Sequence, residues 1–147
     1  MSINAIQLGE GIRHQSPGGL IAEVLMGEAP GRQIGVVHLT VPAGQQMGLH
    51  GHGTSETVLI ALHGAVRLIG PNDAGDVIML EPGALVTIPT DERVRLDNPE
   101  PEPGRLLVIF SPPEFVSKLT SWPLVDLNQI GVRPEETDVR SPSGIAS

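Results

Sequence analysis

The feature that most constrains the fold is a series of short apolar runs, rich in Val, Ile and Leu, that recurs between residues 20 and 110. Glycine, proline, asparagine and aspartate separate the runs, for example at residues 42–44 and 71–73. Short β-branched runs bounded by turn residues are typical of an all-β sandwich or barrel. The predicted strands are 20–26, 33–41, 56–62, 65–69, 77–80, 84–88, 94–96 and 105–110.

The regions on either side of these runs have a different character. Pro112 and Pro113 predict a short helix over residues 114–119, because proline is tolerated in a first helical turn. From residue 126 onward the chain is polar, acidic and proline-containing, which is typical of a tail. A length of 147 residues with 39% hydrophobic content fits one domain. We therefore predict an N-terminal segment (1–19), a barrel with a short terminal helix (20–120) and a C-terminal tail (121–147).

Charge and composition exclude several classes of function. The net charge is −8 and the basic residues are scattered, which argues against nucleic acid and anionic membranes as partners. Because the chain has no cysteine, any metal must bind nitrogen and oxygen. Residues 1–15 lack the continuous apolar stretch of a signal peptide, and no later run approaches the length of a membrane span. These features predict a cytoplasmic protein.

The residues that carry chemistry are His50, His52 and Glu56. In an extended chain, residues two apart point to one face with Cα atoms roughly 6.5 Å apart, so both imidazoles can aim at one point. Two imidazoles and a carboxylate form the set that holds Fe(II) and similar ions while leaving sites open for substrate or O₂. By itself the His-x-His pair is weak evidence for a metal site, because two polar residues on an exposed face are the commoner interpretation, and the surrounding sequence has to decide.

That surrounding sequence resembles the two conserved motifs of the cupin superfamily, over about residues 20–119. Gly44, the histidine pair, Glu56 and Gly64 follow the order of the first motif. The second motif is matched by three further residues, Gly83, Pro89 and Asn98. The resemblance implies a cupin-type double-stranded β-helix, or jelly-roll barrel, with a short C-terminal helix.

The resemblance also implies what such a barrel binds. It implies a divalent transition metal (Fe, Mn, Ni or Zn) on His50, His52 and Glu56, and no nucleotide or flavin. It further implies a small-molecule ligand inside the barrel and a homodimer that pairs through its sheets. The expected aliphatic lining of the barrel is Val58, Ile60, Leu62, Val86, Ile88 and Val94.

Three residues depart from the cupin motifs. Val94 stands where the second motif supplies its third histidine, so the usual fourth ligand position is filled by a side chain that cannot coordinate. Seven residues rather than the usual six separate Glu56 from Gly64, so Thr57 takes the acid position unless a bulge keeps Glu56 inward. Asp91 replaces a glycine usually found two residues after the proline.

Two functions follow from these observations. The first is a metal-dependent enzyme of dioxygenase, isomerase or decarboxylase type, in which Glu56, desolvated at the barrel mouth, is also a candidate catalytic acid or base. The alternative to an acid or base role for Glu56 is a structural one, in which its carboxylate pairs with one or both histidines. The alternative function is a metal-free cupin that binds a small molecule without catalysis, which Val94 favours. We expect His38 to point out of the barrel, and Arg67, Arg93 and Arg95 to lie on solvated faces.

Overall fold

The computed structural model describes residues 3–71 and 77–125, and it confirms the all-β prediction. Each predicted strand is present with bounds within two residues of those expected. The helix expected at 114–119 is a 3₁₀ turn, Pro113–Phe115, that runs into a single short α-helix. The elements are β1 Ile12–Gln15, β2 Ile21–Met26, β3 Gly35–Val41, β4 Glu56–His63, β5 Val66–Ile69, β6 Val77–Leu80, β7 Leu85–Ile88, β8 Arg95–Asp97, β9 Gly104–Ser111 and α1 Val116–Leu119.

The strands form two antiparallel sheets that enclose one core. The larger sheet has six strands in the order β1-β2-β3-β9-β4-β7, and the smaller has three in the order β6-β5-β8. Alternate residues of the central strands are buried, as Leu106, Val108 and Phe110 show on β9. Because side chains alternate across a strand, this pattern places one face of the larger sheet against the interior of the barrel.

Strand β1 was not predicted from the sequence, and it joins the two ends of the described chain. It pairs with β2 on one side. On the other side Gln15 donates its amide to Pro123 at 2.8 Å, and the Val125 amide donates to Arg13 at 3.0 Å. The start of the predicted tail therefore lies along β1. Residues 126–147 of that tail, and Asn72 and Asp73 of the predicted turn, lie outside the described residues.

The outer face of the larger sheet holds a buried contact between a histidine and a carboxylate. His38 lies on that face as expected, but it is buried beside the buried carboxylate of Glu23, with 3.1 Å between Nδ1 and Oε1. The other carboxylate oxygen of Glu23 accepts the amides of Gly9 and Gly11 at 2.7 and 2.6 Å. The N-terminal segment thus covers part of the sheet, which the sequence pattern did not reveal.

Arg67 and Arg95 do not line the cavity inside the barrel, in agreement with the prediction, but their faces are only partly solvated. Both guanidinium groups approach the carboxylate of Asp97, at 3.7 and 3.5 Å, and both side chains are about two-thirds buried. The Asp97 side chain is buried on β8, where a carboxylate needs positive partners to offset its desolvation. Arg93 is exposed, in agreement with the prediction.

The motif residues at the turns have structural roles. Gly64 has φ +71°, and a Cβ there would lie 2.7 Å from the carbonyl oxygen of Pro103, so only glycine fits. Asn98 is buried and donates from its amide to the carbonyl oxygens of Val41 and Glu102. These contacts explain why both residue types recur in the motifs. No helix in the described parts of the chain has the length and apolar character needed to cross a membrane.

Candidate functional site

A cavity of about 460 Å³ occupies the interior of the barrel. Its wall is mostly aliphatic and aromatic, with side chains from β3, β4, β7 and β9 and from the segment around α1. The polar side chains that line it are few: Ser16, Gln45, Gln46, His50, His52 and Lys118. A mostly apolar cavity with a small number of polar groups is the usual composition of a small-molecule site.

The structure brings both predicted histidines to this cavity. His50 pairs with Val94 across a two-way backbone bridge, with N···O distances of 2.9 and 2.8 Å. His52 begins the turn that Ser55 closes by donating its amide to the His52 carbonyl at 3.1 Å. The two imidazole rings lie 5.0 Å apart between centroids, at an interplanar angle of 72°. The prediction that the His-x-His spacing directs both rings to one place is therefore met.

His52 lies in an apolar environment that keeps it neutral. Its ring is 5.0 Å from that of Phe115 and 6.1 Å from that of Phe110, between centroids. Burial first, and the nearby charge of His50 second, lower the pKa of His52 from 6.5 to about 4. Its Nδ1 atom is buried, and no hydrogen-bond partner for it lies among the described residues. An uncharged imidazole with an unpaired ring nitrogen thus borders the cavity.

His50 has a defined tautomer. Its Nδ1 atom lies 3.1 Å from the carbonyl oxygen of Gly48. Because a carbonyl can only accept a hydrogen bond, Nδ1 carries the proton, and in the neutral ring Nε2 keeps a free lone pair. His50, which lines the cavity, therefore has one nitrogen that can accept a hydrogen bond when the ring is uncharged.

Glu56 does not join the histidines. It lies on the outer face of β4, exposed, opposite Ser111 of β9, while the next residue, Thr57, is fully buried and faces inward. A bulge does occur in β4, but between Ala61 and His63, and it leaves Glu56 outside. The exposed carboxylate also lacks the desolvation on which its predicted acid or base role depended.

The register of β4 explains this placement. The strand is paired on both sides, with β7 and with β9, so a slip of one residue would turn every side chain to the other face. For the same reason the predicted lining is wrong at Val58, Ile60 and Leu62, which share the outer face with Glu56. Leu59 lines the cavity instead. Counting back from Gly64 would have given the correct face.

The rest of the predicted lining is partly met. Ile88 and Val94 line the cavity, whereas Val86 packs against the core without lining it. Sequence reasoning missed the contribution of Phe115, Lys118 and Trp122, which line the cavity from the segment that follows β9. The sequence feature that could have indicated these lining residues is the short helix predicted after Pro113.

The donor atoms at the cavity do not form a complete metal site. Of the three predicted ligands, only His50 and His52 meet there, and Thr57 and Val94 occupy the positions where cupin motifs place an acid and a histidine. Within residues 3–71 and 77–125, no group of three His, Cys, Asp or Glu side chains is placed to hold a metal ion. Protein metal sites that leave positions open usually supply three side chains. The residues present therefore do not fit a resident metal ion.

Comparison with known proteins supports the fold. No protein-family model matches the chain, and no curated protein matches it significantly. A protein from Klebsiella pneumoniae with a double-stranded β-helix domain is 20% identical, with a TM-score of 0.63 over 76% of this chain and 92% of that one. A Cupin 2 conserved barrel domain protein from Salinispora arenicola is 21% identical, with a TM-score of 0.58 over 82% and 97%.

A third similar structure is that of an enzyme. The polyketide cyclase RemF from Streptomyces resistomycificus is 19% identical to this chain, with a TM-score of 0.64 over 75% of this chain and 80% of RemF. At such identities the likeness concerns the arrangement of the strands. Together with the two sheets and the interior cavity, it shows that this chain has the cupin fold, a double-stranded β-helix.

Proposed function

We propose that this protein binds a small, largely apolar molecule in the barrel cavity without the help of a resident metal ion. The observation that carries the proposal is an apolar cavity of about 460 Å³ whose two histidines lack a third ligand. That volume lies within the range of about 300–1,000 Å³ typical of small-molecule sites. Burial of the ligand's apolar surface supplies the main driving force for binding.

The histidine pair gives the ligand its orientation. When the ring of His50 is uncharged, its Nε2 lone pair can accept a hydrogen bond from a ligand hydroxyl or amide, and His52, held neutral by its surroundings, adds no charge to the apolar wall. We assign no catalytic step to the site, because Glu56 lies on the outer face and no other carboxylate lines the cavity among the described residues.

The competing function is the metal-dependent enzyme predicted from the sequence. It requires a ligand set that His50 and His52 do not complete, so the third position would have to be filled by the substrate or by water. The homodimer and the cytoplasmic location remain predictions from the sequence.

Binding of a neutral apolar probe tests the proposal. Trp122, the only tryptophan of the chain, lines the cavity, so its fluorescence reports the entry of 1-octanol. We expect saturable binding that excess EDTA leaves unchanged. Val108→Phe, which fills the cavity, should weaken binding by about tenfold, since it removes the space the probe occupies. Ile109→Phe, at the next residue on the opposite face of β9, is the matched control and should bind normally.

Two results would contradict the proposal. One is the absence of saturable octanol binding to the folded wild-type protein. The other is binding that disappears with EDTA and returns with added Zn²⁺ or Fe²⁺, which would favour the metal-dependent alternative.

A further inference from the structure

Only one residue that carries a full charge at neutral pH lines the cavity, among the residues that the structure describes. It is Lys118, and no Asp, Glu or Arg side chain accompanies it there. Lys118 is also the only lysine of a chain whose net charge is −8. The cavity therefore carries a positive charge although the chain as a whole is acidic. This charge would repel a cationic ligand.

Lys118 lies close to the histidine pair, with Phe115 between them in the chain of contacts. The residue belongs to α1, and its Nζ atom lies 5.6 Å from the ring centroid of Phe115. The Phe115 ring in turn lies 5.0 Å from that of His52. Phe115, which is half-buried, therefore lies next to both the exposed Lys118 and the buried His52.

The ammonium group has no carboxylate partner within the described part of the chain. None of the ion pairs there includes Lys118, although Glu114 lies four residues earlier. Among the described residues, its recorded contact is with the face of Phe115, which belongs to the apolar wall. Charge at the edge of an apolar surface is less well screened than in bulk water, so an anion placed there gains more from the attraction.

We infer that the ligand is a small organic anion, with an apolar body inside the barrel and a carboxylate or similar acid at Lys118. This inference rests on the proposed binding function and adds the class of ligand to it. The apolar body occupies the wall between Phe115 and Val108, and the acid remains at the solvent side. Because the overall charge repels anions, the selectivity is local to the cavity mouth and weakens as salt increases.

A pair of ligands that differ only in the head group tests the inference. Octanoate and 1-octanol are titrated separately into the wild-type protein, with Trp122 fluorescence as the readout. We expect octanoate to bind about fivefold more tightly than octanol, the range of a partly exposed ion pair. Lys118→Met should bring the affinity ratio of octanoate to octanol down to about one, whereas Lys118→Arg should retain most of the octanoate preference.

A control and two decisive outcomes complete the experiment. Arg105→Gln removes one positive charge from the exposed end of β9 and should preserve the octanoate preference, which separates a local effect from a change in net charge. If octanol binds but octanoate binds no better, in wild type and in Lys118→Met alike, the inference is wrong and the proposed function stands. If neither ligand binds, both are wrong.

Discussion

At the scale of single residues, the main feature of the site is an imidazole that its apolar surroundings keep neutral. His52 lies beside Phe110 and Phe115, with a second imidazole at 5.0 Å. Protonation of His52 would place a charge in this environment and repel any charge on His50. This free-energy cost of protonation is what lowers the pKa of His52.

The lowered pKa predicts how stability depends on pH. In the unfolded chain His52 takes up a proton near its ordinary pKa of 6.5, but in the folded protein only near 4. Its contribution is therefore fully present above pH 6.5 and is lost as the pH falls from 6.5 towards 4, by up to about 3 kcal/mol. Urea unfolding at about pH 7 and about pH 4.5 should show a smaller acid loss for His52→Gln than for wild type.

The matched control for this measurement is His63→Gln, because His63 is exposed on the surface. We expect it to follow the wild-type pH dependence. If His52→Gln loses as much stability in acid as wild type does, His52 is not held neutral by the fold.

A second prediction at this scale concerns Val94. Its backbone is bridged to His50 and its side chain lines the cavity, so an imidazole at position 94 would enter the same space. We expect Val94→His to raise affinity for Zn²⁺ or Ni²⁺ by about tenfold or more, since a third nitrogen ligand completes a common donor set. Calorimetric titration measures it.

The control for Val94→His is Arg93→His, which adds an imidazole to the neighbouring exposed residue. That variant should keep the metal affinity of wild type. Equal affinities of Val94→His and Arg93→His would show that position 94 does not face the histidine pair in a usable geometry.

At the scale of elements, the turn after β7 shows how a sequence departure is accommodated. Asp91 has φ +68°, and it is the one non-glycine residue with a positive φ among those described. Aspartate tolerates this conformation better than most residues, but glycine adopts it without steric cost. The glycine that cupin motifs usually have at this position is therefore explained by backbone geometry.

Substitutions at Asp91 test that explanation. Asp91→Gly should raise the free energy of unfolding by about 0.5 kcal/mol, and Asp91→Val should lower it by about 1–2 kcal/mol, because a β-branched residue is strained at positive φ. Chemical denaturation measures both. If the valine variant is as stable as the glycine variant, the turn does not require this conformation.

The elements also show which parts of the fold the sequence could predict. The strands were predictable because apolar runs and turn residues are local signals. β1 was missed because it is short and contains Arg13 and His14, and because its neighbour on one side is the segment 123–125, more than a hundred positions away. His14 is buried there, with its Nδ1 atom 2.8 Å from the carbonyl oxygen of Trp122, a contact that no local pattern reveals.

The site was predictable in part for a related reason. The histidines were found because a His-x-His spacing directs two side chains to one face. The local pattern could not show which face of β4 carries Glu56, because both faces of the strand are apolar. Val58 and Ile60 lie on one face, and Leu59 and Ala61 lie on the other. Pairing with β7 and β9 selects one of the two.

At the scale of the whole molecule, the two sheets and the C-terminal segment enclose one apolar space. The strands form most of the cavity wall, and the segment from Phe115 to Trp122 forms the rest of it. Strand β1 is hydrogen-bonded to the residues that directly follow this segment. The predicted homodimer is also tested at this scale. Light scattering of the purified protein should give twice the chain mass of 15.5 kDa, and a monomer at all concentrations would contradict it.

The central claim is that the barrel holds an apolar ligand and no resident metal, and one crystal structure tests it directly. The protein would be purified without chelators, soaked with 1-octanol and measured with an X-ray fluorescence scan. Octanol density is expected beside Phe115 and Val108, with transition metal in fewer than about a tenth of the chains. A stoichiometric metal ion coordinated by His50 and His52, with no octanol in the cavity, would contradict it.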